Sequence, residues 1–287
     1  MTGLFAFFQY LLPKHLLTAI VYRIARIRHP ATKNFLIEKF IRVFDVNVDE
    51  IRDEVPDAFA TFNDFFVREL SDGERPVDSA DDTLVSPVDG TLSIAGHIEN
   101  DVLVQAKGID YTLDELLATD LANAHAYDNG QFATIYLAPY NYHRVHAPLA
   151  GKLVAARYVP GDLFSVNEAT VSRVPKLFRR NERLVMHFET AIGPMALVFV
   201  GALNVGSIST PWTGEIRPRS SGVVEVLDLS AHTRHVSKGD LLGWFNMGST
   251  VIVLLPKNGC VWSAAMRPSA TVRMGEAIAT LPIEADD

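Results

Sequence analysis

Cysteine is almost absent from this sequence, since Cys260 is the only one among 287 residues. A single cysteine excludes an intramolecular disulfide and is typical of a protein that folds in a reducing compartment. It lies in the segment Asn258–Trp262, which predicts a turn leading into a strand. We therefore expect a buried thiol that takes no part in chemistry.

The sequence also has no long apolar run. The N-terminal stretch Leu4–Leu12, which contains Phe5, Phe7 and Phe8, is shorter than the about 20 residues that a membrane-spanning helix needs. No basic residue precedes it and no small-residue cleavage site follows it, so a secretory signal peptide is not expected either.

Several common enzyme motifs are missing. The sequence contains no P-loop, no glycine-rich dinucleotide fingerprint, no Gly-x-Ser-x-Gly nucleophile elbow and no His-Glu-x-x-His zinc motif. An overall net charge of −8 does not favour a general nucleic-acid binder. Chemistry, if present, must be carried by a less common arrangement of residues.

Positive charge is concentrated at the N-terminus. Residues 1–44 hold seven basic residues and one acidic residue (+6), whereas the remainder holds 19 basic and 33 acidic residues (−14). Residues 16–27 and 35–44 both repeat apolar residues with helical periodicity. Cations beside an apolar stripe are typical of helices in a membrane interface, so residues 1–47 are predicted to associate with a membrane. A helical cap on the protein's own core is the alternative.

The remaining sequence predicts a mixed fold. Residues 48–70 have helical character, and from about residue 83 short valine-rich runs broken by glycine and proline indicate β-structure. Pro-x-x-Gly strand starts at Pro87, Pro148 and, one residue longer, Pro218, together with Gly-Asp hairpins within 159–162 and 236–240, favour a barrel-like sandwich. We predict an α+β protein: N-terminal amphipathic helices, then a β-rich catalytic body over residues 48–287, with one inserted helix within 111–124.

Three stretches collect reactive side chains among apolar strands. Asp89 lies in a Ser-Pro-Val-Asp-Gly segment, His143 and His146 stand three residues apart, and Ser249 lies between Gly248 and Thr250. Taken singly, these stretches are equally typical of a turn, a structural histidine pair and a strand entrance. Together they supply a hydroxyl nucleophile, a base and a carboxylate that orients the base. The residues alone do not decide which histidine performs which step.

In this combination the sequence resembles the pyruvoyl-dependent phosphatidylserine decarboxylases of the bacterial, membrane-associated type. Met247 departs from the common bacterial pattern, which has leucine there, but this exchange nearly conserves volume. The matching segments follow family order over roughly residues 57–285 and are Phe62–Arg68, Ser86–Gly90, Tyr142–His146, Asn181–Arg183, Val200–Ala202, Val205–Ile208 and Lys238–Thr250.

The resemblance implies a proenzyme that cleaves itself between Gly248 and Ser249. In this scheme His146, oriented by Asp89, takes the proton of Ser249, whose oxygen attacks the Gly248 carbonyl to form an ester. Elimination and loss of ammonia then turn residue 249 into a pyruvoyl group, the only cofactor implied. The products, residues 1–248 and 249–287, are expected to remain together as a heterodimer, which could dimerise further.

The resemblance also implies a reaction, a substrate and a location. The pyruvoyl carbonyl would form a Schiff base with phosphatidylserine and act as an electron sink while carbon dioxide leaves, giving phosphatidylethanolamine. His143 is implied as the proton donor. The enzyme, a carboxy-lyase, is expected to need no metal, to bind no nucleic acid, and to lie peripherally on the cytoplasmic face of the inner membrane.

Three alternatives remain at the level of sequence. A zinc hydrolase could use Asp89, His143 and His146 as ligands. A membrane-attached module of biotinyl or lipoyl type would explain the Gly-Asp turns, although no lysine stands at an obvious hairpin tip. A pyruvoyl decarboxylase for small amino acids would share the serine chemistry but would not need the N-terminal helices.

Overall fold

The computed structural model describes residues 9–106, 109–119, 124–230 and 232–282. Phe5, Phe7 and Phe8, part of the predicted membrane-associated segment, lie outside these residues. The described helices are α1 (Lys14–Ala25), α2 (Pro30–Phe44), α3 (Phe62–Phe66), α4 (Leu113–Leu117), α5 (Glu168–Val171) and α6 (Leu177–Arg180).

The strands of the β-rich body begin at residue 83, as the sequence predicts. They are β1 (Thr83–Val85), β2 (Gly90–His97), β3 (Val102–Ala106), β4 (Ile109–Thr112), β5 (Gln131–Tyr136), β6 (Arg144–His146), β7 (Gly151–Val159), β8 (Arg183–Thr190), β9 (Gly193–Val200), β10 (Ile208–Thr210), β11 (Gly214–Ile216), β12 (Glu225–Val226), β13 (His235–Val236), β14 (Leu241–Phe245), β15 (Thr250–Leu255), β16 (Val261–Trp262), β17 (Thr271–Val272) and β18 (Ala277–Thr280).

The two N-terminal helices form where the periodicity predicts them. Pro30 occupies the first turn of α2, where its fixed φ suits a helix and its missing N–H is not needed. Asp45 ends α2 in a left-handed conformation with φ 53°. None of the helices in the described ranges is long and apolar enough to cross a membrane.

The helix predicted over residues 48–70 is mostly wrong, because only α3 forms within it. Pro56 interrupts the segment, and a proline inside a helix removes a hydrogen bond and clashes with the preceding turn. Thr61 then starts α3 by accepting a hydrogen bond from the backbone N–H of Asp64 at 3.1 Å. The phenylalanines of this segment instead form a small aromatic core with α2, in which Phe40 packs on Phe62 with ring centroids 5.1 Å apart.

A nine-stranded antiparallel sheet forms the centre of the body, in the order β12-β7-β8-β9-β15-β5-β2-β17, with β13 also paired to β7. Strand β15 lies in the interior of this sheet between β9 and β5, and all six of its residues are buried. A short, continuous apolar run bounded by turn residues is typical of such a strand. The segment that follows Gly248-Ser249 is therefore paired with a neighbouring strand on each side.

The remaining described strands form smaller open sheets, β1-β18-β16, β11-β10-β14-β6 and β3-β4. The α+β class with a β-rich body is confirmed, but no closed barrel exists in the described chain. Helix α4 confirms the helix expected within residues 111–124. Burial also holds for Cys260, which is 3% exposed and whose pKa is raised to about 12 by desolvation.

Two details of the predicted β-structure are wrong. Pro87 and Pro148 do precede strands at Gly90 and Gly151, but after Pro218 only the two-residue strand β12 forms. Neither Gly-Asp turn closes a hairpin, since β7 leads into helical segments, and β13 and β14 pair with different sheets. Turn residues determine where the chain bends, whereas contacts between distant segments determine which strands pair. The Gly-Asp turns alone therefore could not predict hairpins.

Candidate active site

The Gly248-Ser249 bond lies where the chain passes from one sheet to another. Strand β14 ends at Phe245 in the four-stranded sheet, and β15 begins at Thr250 in the nine-stranded sheet. Met247 has φ 108°, which side-chain-bearing residues rarely adopt and which costs of order 1–3 kcal/mol. The sharp passage thus puts backbone strain next to the residue pair singled out by sequence.

Ser249 is completely buried at the entrance of β15. Its carbonyl accepts a hydrogen bond from the N–H of Leu137 at 2.8 Å, which continues the β15–β5 ladder by one residue. Its hydroxyl Oγ has no hydrogen-bond partner within the described chain. A buried hydroxyl without a partner is costly, so it is more typical of a functional position than of a structural one.

The residues just before the bond are fixed by buried amides and hydroxyls. The side-chain amide of Asn246 donates to Ser207 Oγ at 2.8 Å and to Ser209 Oγ at 2.9 Å. Its Oδ1 accepts from Asn63 of α3 at 2.9 Å. The strained passage is therefore anchored immediately upstream of Met247.

His143 is the predicted histidine that the structure brings to this bond. A Cβ built on Gly248 would lie 3.5 Å from His143 Cε1. The ring stacks on Phe66 with centroids 4.1 Å apart, and Nε2 donates to the Pro139 carbonyl at 3.2 Å. Because a carbonyl only accepts, Nδ1 carries the lone pair, and it has no partner in the described chain. Burial, and secondarily the nearby Arg68 cation, lower the pKa of His143 to about 3, so the ring is neutral.

His146 lies on β6 in an adjoining cleft. Its Nδ1 donates to the carbonyl of Gly239 at 2.8 Å, so its Nε2 accepts from the hydroxyl of Tyr142 at 3.1 Å. Desolvation lowers the pKa of His146, although the Gly239 carbonyl and the Asp89 charge oppose this shift. The imidazole is therefore neutral, and its lone-pair nitrogen Nε2 accepts a hydrogen bond from Tyr142.

Asp89 is clamped by an arginine rather than by a histidine. The Nε atom of Arg75 lies 2.9 Å from Oδ1, its Nη2 atom lies 2.6 Å from Oδ2, and the Met274 N–H donates to Oδ1 at 2.9 Å. Arg75 also contacts Glu50 at 2.7 Å. Fully satisfied in this way, a buried carboxylate is stable as an anion.

Of the predicted site residues, the structure brings His143 to Gly248-Ser249 and places Asp89 and His146 in two clefts that share Arg75 and Tyr142 in their lining. No hydrogen bond joins Asp89, His146 and Ser249 in this arrangement of the described chain. Nor do three or more potential metal ligands converge anywhere in the described residues. The roles assigned to the three side chains remain predictions.

Sequence reasoning missed two arginines that support the site. Arg75 compensates Asp89, and Arg68, which is 4% exposed, donates to the Tyr140 carbonyl at 3.0 Å in the loop that carries His143. Burial lowers the pKa of Arg68 to about 10. The sequence signal that could have revealed Arg68 is its position at the end of a phenylalanine-rich segment. An arginine buried with such a segment needs polar partners.

Comparisons with known proteins identify the family of this chain. The phosphatidylserine decarboxylase family model matches residues 62–280, and a second model, described as PSD, matches residues 4–45. A protein from Methylococcus capsulatus is 47% identical over 95% of this chain and 94% of its own length. Proteins from Idiomarina loihiensis and Psychrobacter arcticus are 43% and 45% identical, each over 98% of this chain and over 97% and 100% of their own lengths. All three are named phosphatidylserine decarboxylase proenzyme.

These relatives place the chain among the decarboxylases, a class of carboxy-lyases. More specifically, the chain belongs to the phosphatidylserine decarboxylase family.

Proposed function

We propose that this protein decarboxylates phosphatidylserine to phosphatidylethanolamine with a pyruvoyl group made from Ser249 by self-cleavage after Gly248. The observation that carries the proposal is the buried Ser249 hydroxyl, which has no partner in the described chain and lies two residues after the strained Met247, in a chain whose relatives are named proenzymes. The cofactor requires no separate binding site, because it would occupy the position of residue 249. When formed, it supplies an electrophilic carbonyl that accepts electrons as carbon dioxide leaves.

The chain's own side chains divide the proton transfers. His143 is proposed as the donor to the substrate carbon, because its ring approaches Gly248 through Cε1 and its Nδ1 has no partner in the described chain. For self-cleavage, His146 has the basic tautomer at Nε2, and Asp89 contributes a negative charge to its surroundings. Deprotonation of Ser249 by His146 then requires Nε2 to exchange Tyr142 for the serine.

A membrane surface is proposed as the place of action, because helix α1 leaves part of its apolar stripe exposed. It buries Lys14 and Thr18, whereas Leu16, Ile20 and Ile24 are 60%, 45% and 43% exposed. A helical cap on the protein's own core would have the opposite orientation. Exposed apolar residues flanked by cations are suited to the headgroup layer of a membrane.

An apolar groove connects this surface to the cleavage segment. The groove, of about 270 Å³, lies between α1 and α2 and includes Ile24, Phe40, Phe44 and Met247 in its lining. Met247, which lines the groove, lies two residues before Ser249 in the chain. This arrangement suits a substrate with an acyl chain and disfavours a small free amino acid.

Intact-mass spectrometry and decarboxylation of phosphatidylserine test the reaction together. We expect two chains, 1–248 and 249–287, with the second beginning in a pyruvoyl group. Ser249→Ala should remain one chain without activity, while Ser93→Ala, at an exposed serine on β2, should behave as the wild type. Activity in an uncleaved protein, or cleavage of Ser249→Ala, contradicts the proposal.

Flotation with vesicles of phosphatidylserine and phosphatidylcholine tests the membrane surface. Replacing Leu16, Ile20 and Ile24 by glutamine should reduce vesicle binding. Val223, Val226 and Val261 form a matched control, since they are 83%, 69% and 69% exposed outside the helices. Equal loss of binding in both triple variants would argue against a specific membrane face.

A further inference from the structure

Asn246, the residue before the strained Met247, is fixed by its backbone as well as by its side chain. Its N–H donates to the Ser207 carbonyl at 2.9 Å, and its carbonyl accepts from the N–H of Gly206 at 3.0 Å. Its side-chain amide also donates to the Ser207 hydroxyl at 2.8 Å. Buried polar networks with paired members are rigid. Ser207 therefore determines where the cleavage segment begins its passage between the two sheets.

A carboxylate connects Ser207 to helix α1. The hydroxyl of this completely buried serine donates to Oε1 of Glu215, on β11, at 2.5 Å. The same oxygen accepts from Nη2 of Arg26, at the end of α1, at 2.5 Å. The other oxygen, Oε2, accepts from the Tyr22 hydroxyl at 2.9 Å. Hydrogen bonds to a charged group are about twice as strong as neutral ones, so Glu215 joins α1 firmly to the residue that fixes Asn246.

Helix α1 also packs directly on the loop of residues 201–207, which precedes β10. A Cβ built on Gly206 would lie 2.9 Å from Cδ2 of Tyr22, so the ring approaches the loop backbone more closely than a larger residue would allow. The Thr18 hydroxyl accepts from the N–H of Asn204 at 3.2 Å. The contact between α1 and the body is therefore made at the loop that carries Ser207.

The strained passage is short and is fixed at both ends. Asn246 is held by the network described above, and the Ser249 carbonyl accepts from the N–H of Leu137 in the nine-stranded sheet. Only Met247 and Gly248 lie between them, and the Met247 side chain packs against the aromatic core formed with α2. A rarely adopted backbone conformation persists only where its surroundings impose it. The contacts of α1 therefore help to impose the conformation of the passage.

We propose that Glu215, Ser207 and Asn246 are positioning residues for self-cleavage, through which helix α1 holds the Gly248-Ser249 bond in its reactive conformation. The inference rests on the proposed self-cleavage at this bond. The three side chains exchange no proton with the reacting atoms and act only by restricting the backbone of the passage. Helix α1 then has a role besides membrane binding, because its contact with the body sets the rate at which the proenzyme matures.

The rate of self-cleavage of the full-length chain, translated cell-free, tests this path. A displacement of about 1 Å at a reacting group slows a reaction by up to about 100-fold, so Ser207→Ala and Glu215→Ala should each cleave about ten to 100 times more slowly. Glu215→Gln keeps an acceptor oxygen for Ser207 and should recover part of the rate. Glu225→Ala is the matched control and should cleave as the wild type, since Glu225 pairs only with the exposed Arg219 in the described chain.

Tyr22→Phe provides a milder variant that separates positioning from loss of structure. It keeps the ring against Gly206 and removes only the hydrogen bond to Glu215, so it should slow cleavage about fivefold. In the Ser207→Ala background, where the path is already broken, Tyr22→Phe should have no further effect. Residues that act through a shared partner are not additive in this way unless they are coupled. Circular dichroism in the uncleaved Ser249→Ala background checks that every variant is folded.

The outcomes distinguish this inference from the proposed function. Wild-type cleavage rates in folded Ser207→Ala and Glu215→Ala, no recovery in Glu215→Gln, or equal slowing by Tyr22→Phe in both backgrounds overturn the positioning path. If Ser207→Ala does not fold, a wild-type rate in Tyr22→Phe overturns it. An uncleaved wild type or a cleaved Ser249→Ala overturns self-cleavage itself, whatever the other variants do.

Discussion

Asp89 and Glu182 are both buried carboxyl groups near the candidate cleavage site, but their surroundings are opposite. Asp89 is held by Arg75 and by a backbone N–H, in a cleft next to the one that His146 lines. Glu182 has one tyrosine hydroxyl and an unpaired oxygen, inside the nine-stranded sheet. The contacts of Asp89 thus compensate a negative charge. The surroundings of Glu182 instead favour the protonated carboxyl group.

This difference suits a reaction that uses both a charged carboxylate and uncharged proton-carrying side chains. A paired carboxylate can stabilise a cation on an imidazole, whereas a desolvated carboxyl can give up a proton near neutral pH. His143, which is neutral and completely buried, belongs to the second environment. The Gly248-Ser249 bond thus lies beside the neutral His143, and the ion pair of Arg75 and Asp89 lies in a separate cleft.

The largest effect is expected from removing the counterion of Asp89. Arg75→Met, studied in the uncleaved Ser249→Ala background, leaves Asp89 and Glu50 without their shared cation. Loss of one partner of a buried ion pair costs about 3–5 kcal/mol. Urea unfolding should report a lower unfolding free energy of this size. A decrease under about 1 kcal/mol would mean that Asp89 does not depend on Arg75.

A smaller effect is expected from the pH dependence at Glu182. Its pKa is raised from the unfolded value, so the folded state binds the extra proton and loses stability as pH rises through about 7. Glutamine does not titrate, so the Glu182→Gln variant does not lose stability in this way. In the same Ser249→Ala background, the stability of Glu182→Gln relative to Glu182 should increase by about 1–3 kcal/mol between about pH 5 and pH 8.

The buried histidines destabilise the folded protein at low pH rather than at high pH. They are the same in the Glu182 and Glu182→Gln proteins, so their effect cancels in that comparison. Burial lowers the pKa of His143 to about 3 and that of His187 to about 4. The unfolded chain therefore binds their protons first, and stability falls as pH drops below about 6.5. A pH-independent difference between glutamate and glutamine at position 182 would contradict a perturbed carboxyl.

The smallest effect is expected at an exposed arginine. Arg52 contacts Glu69 and Asp72, and the side chains are 50%, 39% and 98% exposed. Arg52→Met in the Ser249→Ala background should change the unfolding free energy by about 0.2–1 kcal/mol and lose even this effect at high salt. A cost equal to that of Arg75→Met would mean that burial does not explain the difference between the two arginines.

The sequence was a good guide where chemistry is local. Helical periodicity predicted α1 and α2, and a buried apolar run after Gly248-Ser249 predicted β15. The same reasoning failed for residues 48–70, because Pro56 and the cap at Thr61 limit the helix to one short turn. It also could not foresee Arg75, whose contact with Asp89 joins a loop to the start of β2.

The sequence by itself determined the family, the Gly248-Ser249 pair and the candidates Asp89, His143 and His146, because residue type and order carry that information. Only the tertiary structure decided that Leu16, Ile20 and Ile24 of α1 are exposed, that His143 is the histidine beside Gly248, and that the Glu182 carboxyl lies over Gly201. In the last case strand register sets the neighbours: β8 and β9 form a hairpin, whereas β15 pairs with β9 from a distant part of the chain. No local pattern around Glu182 could reveal that its carboxyl lies over Gly201, since the open space there exists only once three strands have come together.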